Sequence, residues 1–142
     1  MRKACIFLAV ILLLAGCAGS GSHDVIEIGD RFFVTQTTDI HINADEYIGQ
    51  TFRYEGIFQT FHWPATGEAY HQVIRNTFGC CGDDGIIGFL VYLGDIEPFP
   101  RDAWVEVVGV LEWFEVSGFR IPRMAAVSVT EMAKRGQEFV TN

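Results

Sequence analysis

An all-β domain curled into a small barrel is what this sequence predicts, and three observations predict it. Beyond the first 17 residues, no long stretch carries helical periodicity. Segments of β-branched and aromatic residues alternate with polar ones, and glycine or proline stands at the breaks. Glycines also stand inside two of these segments, Gly56 and Gly109, where they let a strand bend as closing a small barrel requires.

The first element is not part of the domain. Arg2 and Lys3 precede an apolar run of 11 residues, Cys5 to Ala15, too short to span a membrane and suited to the core of an export signal. It ends in Leu14-Ala15-Gly16-Cys17, a lipobox, in which small residues admit the signal peptidase. Residues 1–16 are therefore expected to be a lipoprotein signal peptide, with Cys17 the lipidated residue. Two or three acyl chains would anchor the protein stably. The expected location is the cell membrane or outer membrane, with the domain outside the cytoplasm. Residues 17–23, which include Gly19-Ser20-Gly21-Ser22, form a tether, and the domain is assigned to 24–142.

Charge narrows the partners. The signal holds two of the ten basic residues, so eight face eighteen acidic ones in the mature chain, a formal charge of −10 with histidine neutral. Such a surface repels phosphate backbones, so no nucleic-acid partner is expected. It does not favour anionic lipid beyond the acyl anchor.

Val25-Ile26-Glu27-Ile28 reads as a short leading strand. Asp30 to Thr38 is ambiguous, with a helical turn as one reading. Asn43 to Glu46 starts a short helical turn, with Asn43 as N-cap and Gly49 as its stop. Five strands follow. The first, Thr51 to Phe61, places Phe52, Tyr54, Gly56 and Phe58 on one face. Pro64-Ala65-Thr66-Gly67 turns the chain into the second, Ala69 to Phe78. The third is Ile86 to Leu93, the fourth Trp104 to Phe114 and the fifth Phe119 to Met132. Pro122 lies near the start of the fifth, where proline is tolerated. Five strands with one longer connection, Asp95 to Pro100, fit a five-stranded OB-like Greek-key barrel with short helical turns. A β-sandwich is the rival and would need about seven strands. The tail from Lys134 either packs back through Phe139 and Val140 or stays loose.

Taken together, Val25-Ile26-Glu27-Ile28, Asp39-Ile40-His41-Ile42-Asn43, Tyr47-Ile48-Gly49, Tyr54-Glu55-Gly56-Ile57-Phe58, Cys80-Cys81 with Asp83, and Trp104 to Val110 form a pattern. It resembles a bacterial family of unknown function, the C-terminal extracytoplasmic domain of a two-component membrane permease-complex subunit. The resemblance covers roughly Asp24 to Val140, and the double cysteine is its most specific part. It implies an OB-like domain, an integral-membrane permease as partner and a role in transport, with metals among the cargoes. Full-length members resemble a few membrane helices followed by this domain. Here a lipobox stands in place of those helices, and Cys80-Cys81-Gly82-Asp83-Asp84-Gly85 replaces the usual Cys-Cys-x-Ala-Asp-Ala.

Three readings compete for Cys80 and Cys81. A thiolate pair completed by Asp83 and Asp84 suits zinc or copper(I). His62 and His71 flank the turn of the preceding hairpin and are weaker candidates. From His71 to Cys80 is nine residues, roughly 30 Å if extended. The redox reading is a vicinal disulfide in an oxidising compartment. Neighbouring Cα atoms lie about 3.8 Å apart, short of the usual disulfide span of about 4.4–6.8 Å, so such a bond is easily reduced. In the third reading the cysteines only pack, within a structural protein-interaction module. His41, in the strand-like Ile40-His41-Ile42, is expected to face solvent. Trp63, Trp104, Trp113 and the phenylalanines read as barrel core or rim, with an aromatic ligand groove as the alternative. No nucleophile triad motif, phosphate loop or HExxH occurs, so no enzymatic activity is expected.

Overall fold

The computed structural model describes residues 24–78 and 84–141. Strand β1 is Ile26–Glu27, and a 3-10 turn follows at Asp30–Phe32. Two helices, α1 (Phe33–Ile42) and α2 (Ala44–Tyr47), precede β2 (Thr51–His62), β3 (Ala69–Phe78), β4 (Asp84–Tyr92), β5 (Trp104–Val116), β6 (Phe119–Glu131) and β7 (Phe139–Val140). The sheet runs β2-β5-β6-β4-β3, and β3 pairs back with β2, so these five strands close. Every barrel pairing is antiparallel except β4 with β6. That is the connectivity of an OB-like Greek-key barrel. The five expected strands are all present, β3 with both ends as expected and the others with no end shifted by more than two residues.

The interior is aromatic and aliphatic. Phe52, Tyr54, Phe58, Val73, Phe89, Val105, Val107, Leu111 and Met124 are all buried in the barrel, and Ile57, Ile74 and Trp104 form a second buried cluster on the other face of the same strands. Burying each large side chain contributes about 1.5–3 kcal/mol. Tyr54 crosses the core. Its hydroxyl donates to Val73 O at 3.4 Å, and complete burial pushes its pKa up. At Gly109 the β5–β6 register shifts after Val108, the bulge that the interior glycine anticipated.

The region before the barrel corrects the sequence reading. The ambiguous stretch from Asp30 forms the 3-10 turn and a helix of ten residues, longer than the expected turn. Phe33, Thr37 and Ile40 are its buried residues, spaced at helical period, and Phe33 meets Tyr54 with ring centroids 6.1 Å apart. His41 therefore lies on a helix, not in a strand-like run. It is exposed, as expected, but its ring stacks on Phe89 at 4.7 Å and its Nε2 donates to Gly88 O at 2.8 Å. Asn43 makes no side-chain cap. Its amide donates instead to Asp39 Oδ1 at 2.7 Å. Asp39 also accepts from the Tyr47 hydroxyl; that bond, then the one from Asn43, holds its carboxyl below the usual range. The tail packs back: β7 pairs in parallel with β3, and Val140 is fully buried.

Candidate functional site

The residues singled out from sequence fall into two groups. Cys17, Cys80, Cys81 and Asp83 lie outside the described residues. Asp84 opens β4, where its backbone pairs with Phe78, so segment 79–83 joins the far ends of β3 and β4. His62 and His71 sit at the other end of the same strands. Thr60 registers with His71, and His62 with Ala69. The two histidines thus share a face but stand diagonally rather than opposite. Seven residues separate His71 from Phe78, roughly 23 Å of strand. The register therefore holds His62 and His71 far from Phe78 and Asp84, the described residues that flank the cysteine segment. Among the described residues, no three His, Cys, Asp or Glu side chains gather in a group able to hold a metal.

His71 is engaged locally. Its Nδ1 lies 2.9 Å from Thr60 Oγ1, its ring stacks on Phe58 at 5.5 Å, and partial burial pulls its pKa down. It also lines a cleft of about 540 Å³ with Tyr70, Leu90, Tyr92, Phe114 and Arg123. Glu68 and Glu115 supply carboxylates at the same cleft. A wholly apolar pocket of about 200 Å³ continues it, walled by Phe61 and Trp63 on one side and Val116, Phe119 and Ile121 on the other.

Two hairpin tips build this cleft. At the β2–β3 tip, Trp63 N–H donates to Glu68 O at 2.8 Å, and Gly67 takes φ +71° to close the turn. At the β5–β6 tip, Ser117 and Gly118 both have positive φ, 50° and 82°, as a two-residue type I′ turn requires. The turn pairs Val116 with Phe119 and Phe114 with Ile121.

Tyr70 stands between the two tips. Its ring lies 5.9 Å from Phe61, 6.3 Å from Trp63 and 5.8 Å from Phe114. Its hydroxyl donates to Glu68 Oε2 at 2.8 Å, and that bond raises its pKa and orients the phenol. Arg123 lies over Phe114 at 4.3 Å and Tyr92 at 4.6 Å, while its Nε donates to Glu112 Oε1 at 2.7 Å. The arginine is thus flattened on aromatic rings and its charge is balanced. The cleft offers stacking faces, one fixed hydroxyl and two carboxylates.

Sequence reasoning left this cleft as an alternative to plain core or rim. The signal was weak because its walls are 44 residues apart, as with Tyr70 and Phe114. Only the β4–β6 pairing, which carries the β5–β6 hairpin around to β3, makes them neighbours.

A closed five-stranded barrel with an aromatic cleft between two hairpin tips defines an OB-like domain, a fold whose equivalent surface receives ligands in other proteins. The chain belongs to the DUF1980 C-terminal domain family, which matches residues 18–141. That agrees with the family of unknown function that the sequence resembles. No curated protein matches the chain. No solved structure matches it.

Proposed function

We propose that this is a non-enzymatic, lipid-anchored protein of the cell envelope whose OB-like domain serves a membrane permease as an accessory binding module. The cleft between the β2–β3 and β5–β6 tips carries the reading. Its aromatic walls and balanced Arg123 suit recognition by contact, and its carboxylates at Glu68 and Glu115, which form no ion pair among the described residues, disfavour a polyanion. The lipobox at Cys17 supports the anchor in the cell membrane or outer membrane, and the family resemblance supports the permease.

Co-purification of the full-length protein with the candidate permease from solubilised membranes tests it. Tyr70→Ala with Phe114→Ala is expected to cut recovery of the partner at least about tenfold, the scale on which central aromatic anchors act. Cys80→Ser with Cys81→Ser is expected to leave it unchanged. Undiminished recovery by the aromatic variant would remove the cleft from the reading. No recovery by the unsubstituted protein would remove the permease.

Within this function, Cys80 and Cys81 are the proposed zinc or copper(I) site, with Asp83 and Asp84 as neighbouring ligands. The register that carries His62 and His71 to the opposite hairpin end favours the carboxylates as co-ligands. A reversible vicinal disulfide is the redox alternative, and a packing role in an interaction module is the third. Protein purified under reducing conditions is expected to hold one metal ion with affinity of about micromolar or tighter, lost in Cys80→Ser with Cys81→Ser. A metal-free protein whose two thiols are oxidised to each other in the envelope supports the disulfide. Free thiols without metal leave packing.

A further inference from the structure

The end of the barrel opposite the cleft carries an apolar patch that the proposed binding role does not use. Phe78 is 64% exposed, Ile86 57%, Phe32 57% and Phe139 40%. Phe78, Ile86 and Phe139 form one surface, and Phe32 lies beside it. Asn76 on β3 registers with Phe139 on one side and Ile86 on the other, so these three share a face with Phe78. Phe78 and Phe139 stack with centroids 5.4 Å apart. Phe32 lines a cavity of about 420 Å³ with Gln137 and Thr141, the residues that flank Phe139 in sequence at alternate positions. Single exposed phenylalanines are ordinary; two stacked on one face with an isoleucine, and a third at a cavity beside them, mark an interaction surface.

We infer that this patch is the face that rests on the lipid bilayer, with Phe32, Phe78 and Phe139 entering the interface. The inference rests on the lipid-anchor reading. Three observations select a bilayer as the occupant. The chain enters the domain beside the patch. Phe32 belongs to the 3-10 turn just after β1, and Asp30 of that turn is ion-paired with Arg75, the neighbour of Asn76. Only seven residues separate Cys17 from Asp24, a reach of at most roughly 25 Å, so the entry point stays close to the membrane. Two carboxylates beside the patch are neutralised among the described residues: Asp30 pairs with Arg75 and Glu138 with Arg135. Arg31 lies 5.3 Å over the Phe32 ring, its apolar stem free to lie along lipid while its head stays wet. Docking by ring insertion needs no anionic lipid, which the net charge disfavours. β3 runs from Tyr70 at the cleft to Phe78 at the patch, roughly 26 Å, so this orientation holds the cleft away from the bilayer and open to a partner.

Depth quenching tests the face. The full lipidated chain is reconstituted into phosphatidylcholine vesicles containing chain-brominated phosphatidylcholine, and it is expected to float with them. The fluorescence added by Phe78→Trp, and separately by Phe139→Trp, is expected to fall by about twofold or more on contact with brominated lipid, as for an interfacial ring. Phe119→Trp, 71% exposed at the cleft end, is expected to stay unquenched. A chain that does not float overturns the anchor and the docking face together. A floating chain whose Phe78→Trp and Phe139→Trp signals stay unquenched overturns the docking face alone. Quenching of Phe119→Trp in their place overturns the orientation. If the two patch positions are shielded only in native membranes and not in vesicles, a protein covers the patch and the bilayer assignment fails.

Discussion

Gly88→Ala is expected to cost about 3 kcal/mol or more, a loss at the upper end of what overpacking produces. A Cβ at Gly88 would lie 2.2 Å from Val73 O, 2.8 Å from Ile74 Cα and 3.0 Å from Val73 C. All three are backbone atoms of β3, so no rotamer change relieves the contact. Nor does β3 have room to retreat. On its other side β2 approaches the same residue, and a Cβ at Gly56 would lie 2.7 Å from Ile74 O. The third strand is clamped at Ile74 between two glycines, with Ile57 and Gly88 as its registered partners. Moving it means opening the barrel at β2–β3 or β3–β4. Urea unfolding followed by near-UV absorbance or fluorescence reads the effect as a lower midpoint at an unchanged slope. Gly29→Ala is the control. Nothing lies within 4 Å of its Cβ position, and a change within about 0.5 kcal/mol is expected. Equal midpoints for Gly88→Ala and the unsubstituted chain would show that the close approach is not a constraint.

The barrel was legible because its strands obey a period of two and its bends are marked by glycine. Phe52, Tyr54 and Phe58 point inward as the alternation of Thr51 to Phe61 requires. The short helical turn after Asn43 was legible, but the extent of α1 was not. Its buried stripe includes Thr37 between Phe33 and Ile40, and apolar Ile42 is 74% exposed, so the hydrophobic period is blurred. Local spacing was enough to place His71 and Phe78 at opposite ends of one strand, because a strand is a ruler. It was not enough to assemble the cleft. Tyr70, Phe114 and Arg123 become neighbours through a parallel β4–β6 pairing that no local pattern encodes. The cysteine chemistry rests on sequence alone, since Cys80, Cys81 and Asp83 lie outside the described residues.

Arg75→Ala is expected to destabilise the domain by about 3–4 kcal/mol, and most of that loss is expected to survive when its ionic partner is already gone. Arg75 is a charged residue only 2% exposed. Its Nε donates to Glu55 O at 2.8 Å, and its guanidinium lies 4.4 Å from the Phe33 ring centroid and 5.2 Å from that of Trp104. Trp104 in turn donates from Nε1 to Glu55 Oε2 at 2.8 Å, so one glutamate residue receives both. Alanine would leave a cavity between two rings and remove the donor to the half-buried Glu55 carbonyl, each a separate cost. The ion pair with Asp30 is a smaller matter. Asp30 is 54% exposed, and a half-solvated pair is worth about 1 kcal/mol or less. Asp30→Asn is therefore expected to cost about 1 kcal/mol or less, and the double variant to show a coupling of similar size. Arg75→Lys is expected to fall between the two, because an ammonium keeps the charge but cannot lie flat on Phe33 while donating sideways to Glu55. If Asp30→Asn proved as damaging as Arg75→Ala, the ion pair would be the principal tie between the 3-10 turn and β3. If instead the ranking holds, the turn that carries Phe32 is fastened chiefly by a guanidinium wedged between rings, and Asp30 serves mainly to neutralise it.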